Sequence, residues 1–178
     1  MTTSSSGRGI GIFSPSRRDA SEPLIRLEAL GVSVRVRVPG NHDRRSPAMF
    51  ETMNAAGSVL PRMRRPEDEI FHVLSGRFAF EVDGQNFMAR KGDVVVVPGG
   101  TPRHCVNVTG TGARQQITMH PGIDVAAFFK ALAQATDPAA SAALRAARVQ
   151  QIERRWGVEF LGPPQPMLVA CLGQRSIS

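Results

Sequence analysis

Two glycine-bounded blocks constrain this chain more than anything else in it. The first reads Gly57-Ser-Val-Leu-Pro-Arg-Met63-Arg-Arg65-Pro-Glu-Asp-Glu69-Ile-Phe-His-Val-Leu-Ser-Gly76. The second reads Gly92-Asp-Val-Val-Val-Val-Pro98-Gly-Gly100-Thr-Pro-Arg103-His-Cys-Val-Asn107. Each sets a short apolar run between glycine and proline breaks, the pattern of a strand held between tight turns. Such blocks fit a fold of many short strands and exclude a helical bundle.

The flanking sequence continues the pattern. Val32–Val38 alternates strictly, with the valines on one face and Ser33, Arg35 and Arg37 on the other, as in a half-buried strand ended by Pro39-Gly40. Further strands are expected over Ala48–Asn54, residues 69–74, Arg77–Val82, residues 85–89 and residues 113–119. Asp83-Gly84 supplies a hairpin turn. The run Val94–Val97 reads as a strand buried on both sides. Turn signals about every ten residues indicate an all-β sandwich or jelly-roll barrel. After Pro121-Gly122 the period changes. Asp124 can cap a helix through Val125, Phe128, Phe129 and Leu132, and Pro138 can open an Ala-rich second helix carrying Leu144, Val149 and Ile152 and stopped by Gly157. Both helices are expected outside the barrel.

At 178 residues the chain suits one domain. Its 22 Lys and Arg against 15 Asp and Glu give a net charge of +7. The arginines are scattered in pairs and there is no Tyr to interleave with them, so no nucleic-acid partner is expected. Two lone cysteines, Cys105 and Cys171, favour a reducing compartment. Residues 1–11 hold no signal-peptide core and no stretch is apolar enough to span a membrane, so the expected location is cytoplasmic.

The spacing of the two blocks resembles the two motifs of the cupin superfamily. The segments His120-Pro121-Gly122-Ile123-Asp124 and Trp156-Gly157-Val158-Glu159-Phe160-Leu161-Gly162-Pro163-Pro164 resemble those of single-domain cupins related to quercetin dioxygenase. The resemblance covers residues 24–164. Residues 1–23, poor in apolar side chains, read as a flexible segment; a cupin barrel is expected over 24–122, and C-terminal helices and tail over 123–178. The resemblance also implies a homodimer formed through the N-terminal strands, with Val32–Val38 near a sheet edge that needs covering.

In metal-binding members of that superfamily three His and one Glu hold an ion. The corresponding positions here are Met63, Arg65, Glu69 and Arg103, a degenerate set, so no metal and no cofactor are expected. His104 and His72 fall on the wrong strand parity to replace the missing ligands unless a one-residue bulge swings His104 inward, and His42 and His120 fall in loops.

What remains at those positions is Glu69 between Arg65 and Arg103. These three can be a structural plug or a site in which both guanidiniums stabilise an oxyanion and Glu69 moves a proton. Phe50, Met53, Phe71, Phe78, Phe80, Phe87 and Met88 are candidates for an apolar wall, with Met63, Phe50, Phe71 and Phe80 the expected substrate contacts. An aromatic or polyketide-like metabolite suits them. The leading expectation is a metal-independent isomerase, cyclase or lyase. A quercetinase-like dioxygenase with altered ligands and a non-catalytic ligand-binding cupin stay open beside it.

Overall fold

A computed structural model describes residues 24–40 and 46–162. Eleven strands and two α-helices follow in order among them: β1 (Ile25–Leu27), β2 (Val32–Val38), β3 (Ala48–Asn54), β4 (Met63–Arg64), β5 (Asp68–Ser75), β6 (Arg77–Val82), β7 (Gln85–Arg90), β8 (Val94–Val97), β9 (Arg103–Asn107), β10 (Ala113–His120), α1 (Val125–Ala135), α2 (Ala142–Trp156) and β11 (Glu159–Phe160). The strands form two sheets, ordered β1-β2-β3-β10-β5-β8 and β11-β4-β9-β6-β7. Their inner faces enclose one apolar core, and the expected jelly-roll barrel with C-terminal helices is what the chain forms. The segment over 1–23, His42, Cys171 and the Pro163-Pro164 end of the closing signature lie outside the described residues.

Local chemistry explains the turns. Asp83 (φ 50°) and Gly84 (φ 76°) both take left-handed angles, as a two-residue hairpin between β6 and β7 requires. Gly99 lies so close to the 65–67 loop that a Cβ there would sit 2.2 Å from the Pro66 carbonyl oxygen. Gly100 N–H donates to the Arg65 carbonyl (2.7 Å) and Gly99 N–H to Asp68 (2.7 Å). The two motif blocks are thereby laced together at one end of the barrel. Asn107, closing the second block, donates its side-chain amide to the carbonyls of Asn54, Ala55 and Thr111.

Two elements differ from expectation. Val94–Val97 is not buried on both sides: β8 is an edge strand of the six-stranded sheet, so Val95 and Val97 enter the core while Val94 and Val96 face outward. The second helix starts at Ala142 rather than at Pro138, because Ser141 is its cap and accepts from the Leu144 N–H at 3.2 Å. Asp124 caps α1 as expected, accepting from Ala127 N–H at 2.9 Å. Strand β2 is flanked over Val32, Ser33 and Val34 by the chain's own β1, which covers part of the edge that the sequence leaves open.

Helix α1 lies outside the strands but does more than coat them. Its buried face, with Phe128, Phe129 and Leu132, joins the barrel core, and Phe129 meets Phe50 edge-on at 5.1 Å between ring centres.

Candidate functional site

Strand parity and register bring the site together. In the six-stranded sheet Ala48, Met119, Glu69 and Val97 form one inward-facing row, and Phe50, Ile117, Phe71 and Val95 form the next. Across the barrel Met63 pairs with Arg103, and Arg65 follows on the same side of the chain. The three residues expected to carry chemistry therefore converge. Their exposures are 4% for Arg65, 1% for Glu69 and 5% for Arg103, so the site is enclosed rather than an open mouth.

Arg103 grips Glu69 through both oxygens, Nε donating to Oε2 at 2.6 Å and Nη2 to Oε1 at 2.8 Å. This is the parallel fork for which guanidinium geometry is suited. Arg65 Nη1 lies 3.5 Å from Glu69 Oε1 and donates to the Met119 sulfur, also at 3.5 Å. Arg65 Nε lies 3.2 Å from Glu67 Oε2. Each guanidinium also rests on an aromatic face, Arg65 on Phe128 at 4.7 Å and Arg103 on Phe71 at 5.6 Å. The lattice holds two guanidiniums and two carboxylates. Burial alone would push the Glu69 carboxyl up, but Arg103 and then Arg65 outweigh it and hold its pKa below the ordinary value. Burial, with Arg103 nearby, lowers Arg65 against the pull of Glu69 and Glu67. Glu69 overcomes burial at Arg103 and raises it.

Among the described residues Arg65 Nη2 and Arg103 Nη1 are buried with no hydrogen-bond partner, and Arg65 Nε, 3.2 Å from Glu67 Oε2, makes no well-aligned hydrogen bond. Buried donors are rarely left so, because each forfeits its hydration.

Of the expected contact residues, Met63, Phe50, Phe71 and Phe80 are all buried inside the barrel, with Phe71 and Phe80 edge-on at 5.4 Å. Phe78 joins them. Met53 does not: it pairs with Arg114 on the outer face, since Ala48, Phe50, Thr52 and Asn54 hold the inward parity of β3. Met88 is exposed on the outside of β7, and Phe87, half out of the barrel, stacks on Phe80 at 5.7 Å.

Sequence reasoning missed Glu67 and Phe128, both in direct contact with Arg65. Parity offered a signal for Glu67, since 65, 67 and 69 alternate inward together. It also missed Gln115, whose amide is fully buried one row below Ile117 and has no well-formed hydrogen bond. The buried Cys105 lies beside Gln115 and Arg103, and burial raises its thiol to about 11.

The positions that the resemblance assigns to metal ligands do not fit a divalent cation. Both oxygens of Glu69 are engaged, two guanidiniums flank them, and Met63 is a soft donor. The register of β9 against β6 is continuous, so no bulge turns His104 inward. It faces away from Arg103 and lies beside the buried Glu81, which Arg62 Nε bonds at 3.0 Å. His72 and His120 belong to the outer face of the other sheet. Among the described residues no group of three or more His, Cys, Asp or Glu is placed to hold a metal ion.

Comparison with known proteins agrees with this architecture. Residues 49–121 match the family model described as Cupin_2, a cupin domain. The fold is similar to that of an RmlC-like cupin from Shewanella frigidimarina (18% identity, TM-score 0.52, covering 58% of this chain and 87% of that one). It is likewise similar to KdgF from Halomonas sp. (19% identity, TM-score 0.52, covering 60% and 92%). In sequence the chain is 27% identical over 99 residues to the HTH-type transcriptional regulator PuuR of Escherichia coli, covering 56% of this chain. It spans about half the length of the curated relatives it matches, 53% in each case. Residues 49–121 thus match a cupin-domain model, and the fold of the chain is the double-stranded β-helix of solved cupins.

Proposed function

We propose that this chain is a small-molecule-binding cupin whose interior recognises an oxygen acceptor on an aromatic or polyketide-like ligand through Arg65 and Arg103, with no metal between them. The observation that carries this reading is the pair of buried, unpartnered donors, Arg65 Nη2 and Arg103 Nη1, in an interior walled by Phe50, Phe71 and Phe80. A carbonyl, phenol or enolate oxygen set against both would complete them, and the rings would take an apolar body. Binding is favoured over turnover because Glu69 is saturated by Arg103 and its pKa lies below the ordinary value, which makes it a poor proton acceptor near neutral pH.

A metal-independent isomerase, cyclase or lyase is the second reading, favoured by the convergence of two guanidiniums on one carboxylate. There an oxygen that gains charge would draw on both arginines while Glu69 takes the proton. A quercetinase-like dioxygenase is the least supported, since the residues at the ligand positions do not suit a cation.

The test is calorimetric titration with flavonols and aromatic ketones against wild type, Arg103→Lys and Arg65→Lys. Lysine keeps the charge and loses the fork, so each variant is expected to lose about 1.5–3 kcal/mol of affinity for any compound that binds. Binding unchanged in both variants places the ligand elsewhere. Turnover of a bound compound that vanishes in Glu69→Gln with affinity retained establishes the second reading.

A further inference from the structure

The outer face of the six-stranded sheet carries an apolar strip that the other described residues leave uncovered. Val94 and Val96 of the edge strand β8 are 57% and 61% exposed, and the adjoining Ile70 of β5 is 41% exposed. A groove of about 350 Å³ runs along the strip between Ile70, Val96, Pro98 and Thr118. Natural edge strands are usually short, charged or covered, and a branched apolar edge in water is a pairing hazard unless something meets it. Farther across the same face β3 presents Met49 beside Thr118 and Glu51 beside Gln116, the latter held by Arg37 and Arg114, so charge bounds the apolar strip on that side.

The register fixes what each cross-strand row presents outward. The middle row is Val96, Ile70 and Thr118; one step along the strands lie Asp68 and His120, with Pro98 beyond β8; one step the other way lie Val94, His72 and Gln116. A two-fold axis lying in an interface perpendicular to the strands, through the middle row, reverses strand direction but keeps the lateral order. It sets Ile70 on the partner's Ile70 and Val96 on the partner's Val96, and lays each flanking row on the other. Asp68 then meets the partner's His72, His120 meets the partner's Gln116, and Pro98 meets the partner's Val94. Apolar groups fall on apolar groups and a carboxylate on an imidazole, the self-complementarity an isologous contact requires. Moving the axis to the Asp68 row would oppose two carboxylates, and moving it to the His72 row two imidazoles.

We infer that the β8–β5–β10 face is a homodimer interface, occupied by a second copy of this chain packed sheet on sheet with antiparallel strands. Three strands about 4.8 Å apart and roughly seven residues long make a footprint well below the ~800 Å² per partner of a standard interface. Association in the micromolar range is therefore expected. This contact differs from pairing through the N-terminal strands and does not depend on what the barrel binds.

Sedimentation velocity across micromolar concentrations tests it. Wild type is expected to associate reversibly to a dimer. Val96→Glu, whose side chain stands in solvent, is expected to be monomeric with an unchanged circular dichroism spectrum and melting temperature. His72→Lys keeps attraction to the partner's Asp68, while His72→Glu opposes two acids twice per dimer and should weaken association by roughly tenfold relative to His72→Lys. Asp68 is left intact because it also accepts the Gly99 N–H. A wild type that stays monomeric, a dimer that survives Val96→Glu, or equal dissociation constants for His72→Lys and His72→Glu would each overturn the inference.

Discussion

At the residue scale, the interior depends on two guanidiniums standing where the resemblance would put imidazoles. An arginine cannot shed its charge when buried, so the fold must supply carboxylates, and Glu69 and Glu67 do so. Removing one member strands the others, and breaking a buried pair typically costs about 3–5 kcal/mol. Glu69→Gln keeps the shape but not the charge, and is expected to lower stability toward that range in urea unfolding at neutral pH. The acid limb provides a second readout. Glu69 has its pKa lowered from 4.5, so its contribution is present above that value and is lost as pH falls through the folded value. Wild type should therefore lose stability more steeply than Glu69→Gln on acidification below about 4.5, and the two curves should converge. Parallel curves would mean that Glu69 is not held ionised by its arginines.

At the element scale, each strand does what its alternation and its place in the sheet allow. Val95→Asp would drive a carboxylate into the core beside Phe71 and should unfold the protein, whereas Val96→Asp one residue on should change stability by no more than about 0.5 kcal/mol. Helix α1 closes the interior over Arg65. Phe128→Ala is expected to cost about 3–5 kcal/mol, because Phe128 packs on Arg65, Phe129 and Trp156 together. Urea unfolding of the three variants checks both statements, and a silent Phe128→Ala would detach α1 from the site.

These elements also show what the sequence could and could not reveal. Strict alternation in Val32–Val38 and Arg77–Val82 made the strands readable, and the resemblance of the two motif blocks put Arg65, Glu69 and Arg103 in one interior. Four consecutive valines carry no period, so only the sheet order reveals that Val94 and Val96 face water. Met53 was assigned to the wall by its apolarity, although Thr52 and Asn54 hold the inward parity. Glu67 lies between Pro66 and Asp68 and stands at none of the positions the resemblance marks. Phe128 was legible as a buried helix face, but its partner Arg65 lies 63 residues away and no local pattern links them.

At the scale of the whole molecule, the chain sets a neutral lattice of buried charge inside a barrel closed by strands and α1, and leaves an apolar, self-complementary strip on its outer face. The interior can serve recognition of a small molecule, and the outer face recognition of a second copy. The first of these requires that the centre of the barrel be organised by Arg65, Glu67, Glu69 and Arg103 rather than by an ion. The most direct measurement is elemental analysis of protein purified without chelator, then exposed to excess iron, nickel, manganese and zinc and freed of unbound metal by gel filtration. The result expected is metal content far below one ion per chain for every element, with melting temperature unchanged by the exposure. One tightly held ion per chain, lost in Glu69→Gln, would contradict the account at its centre.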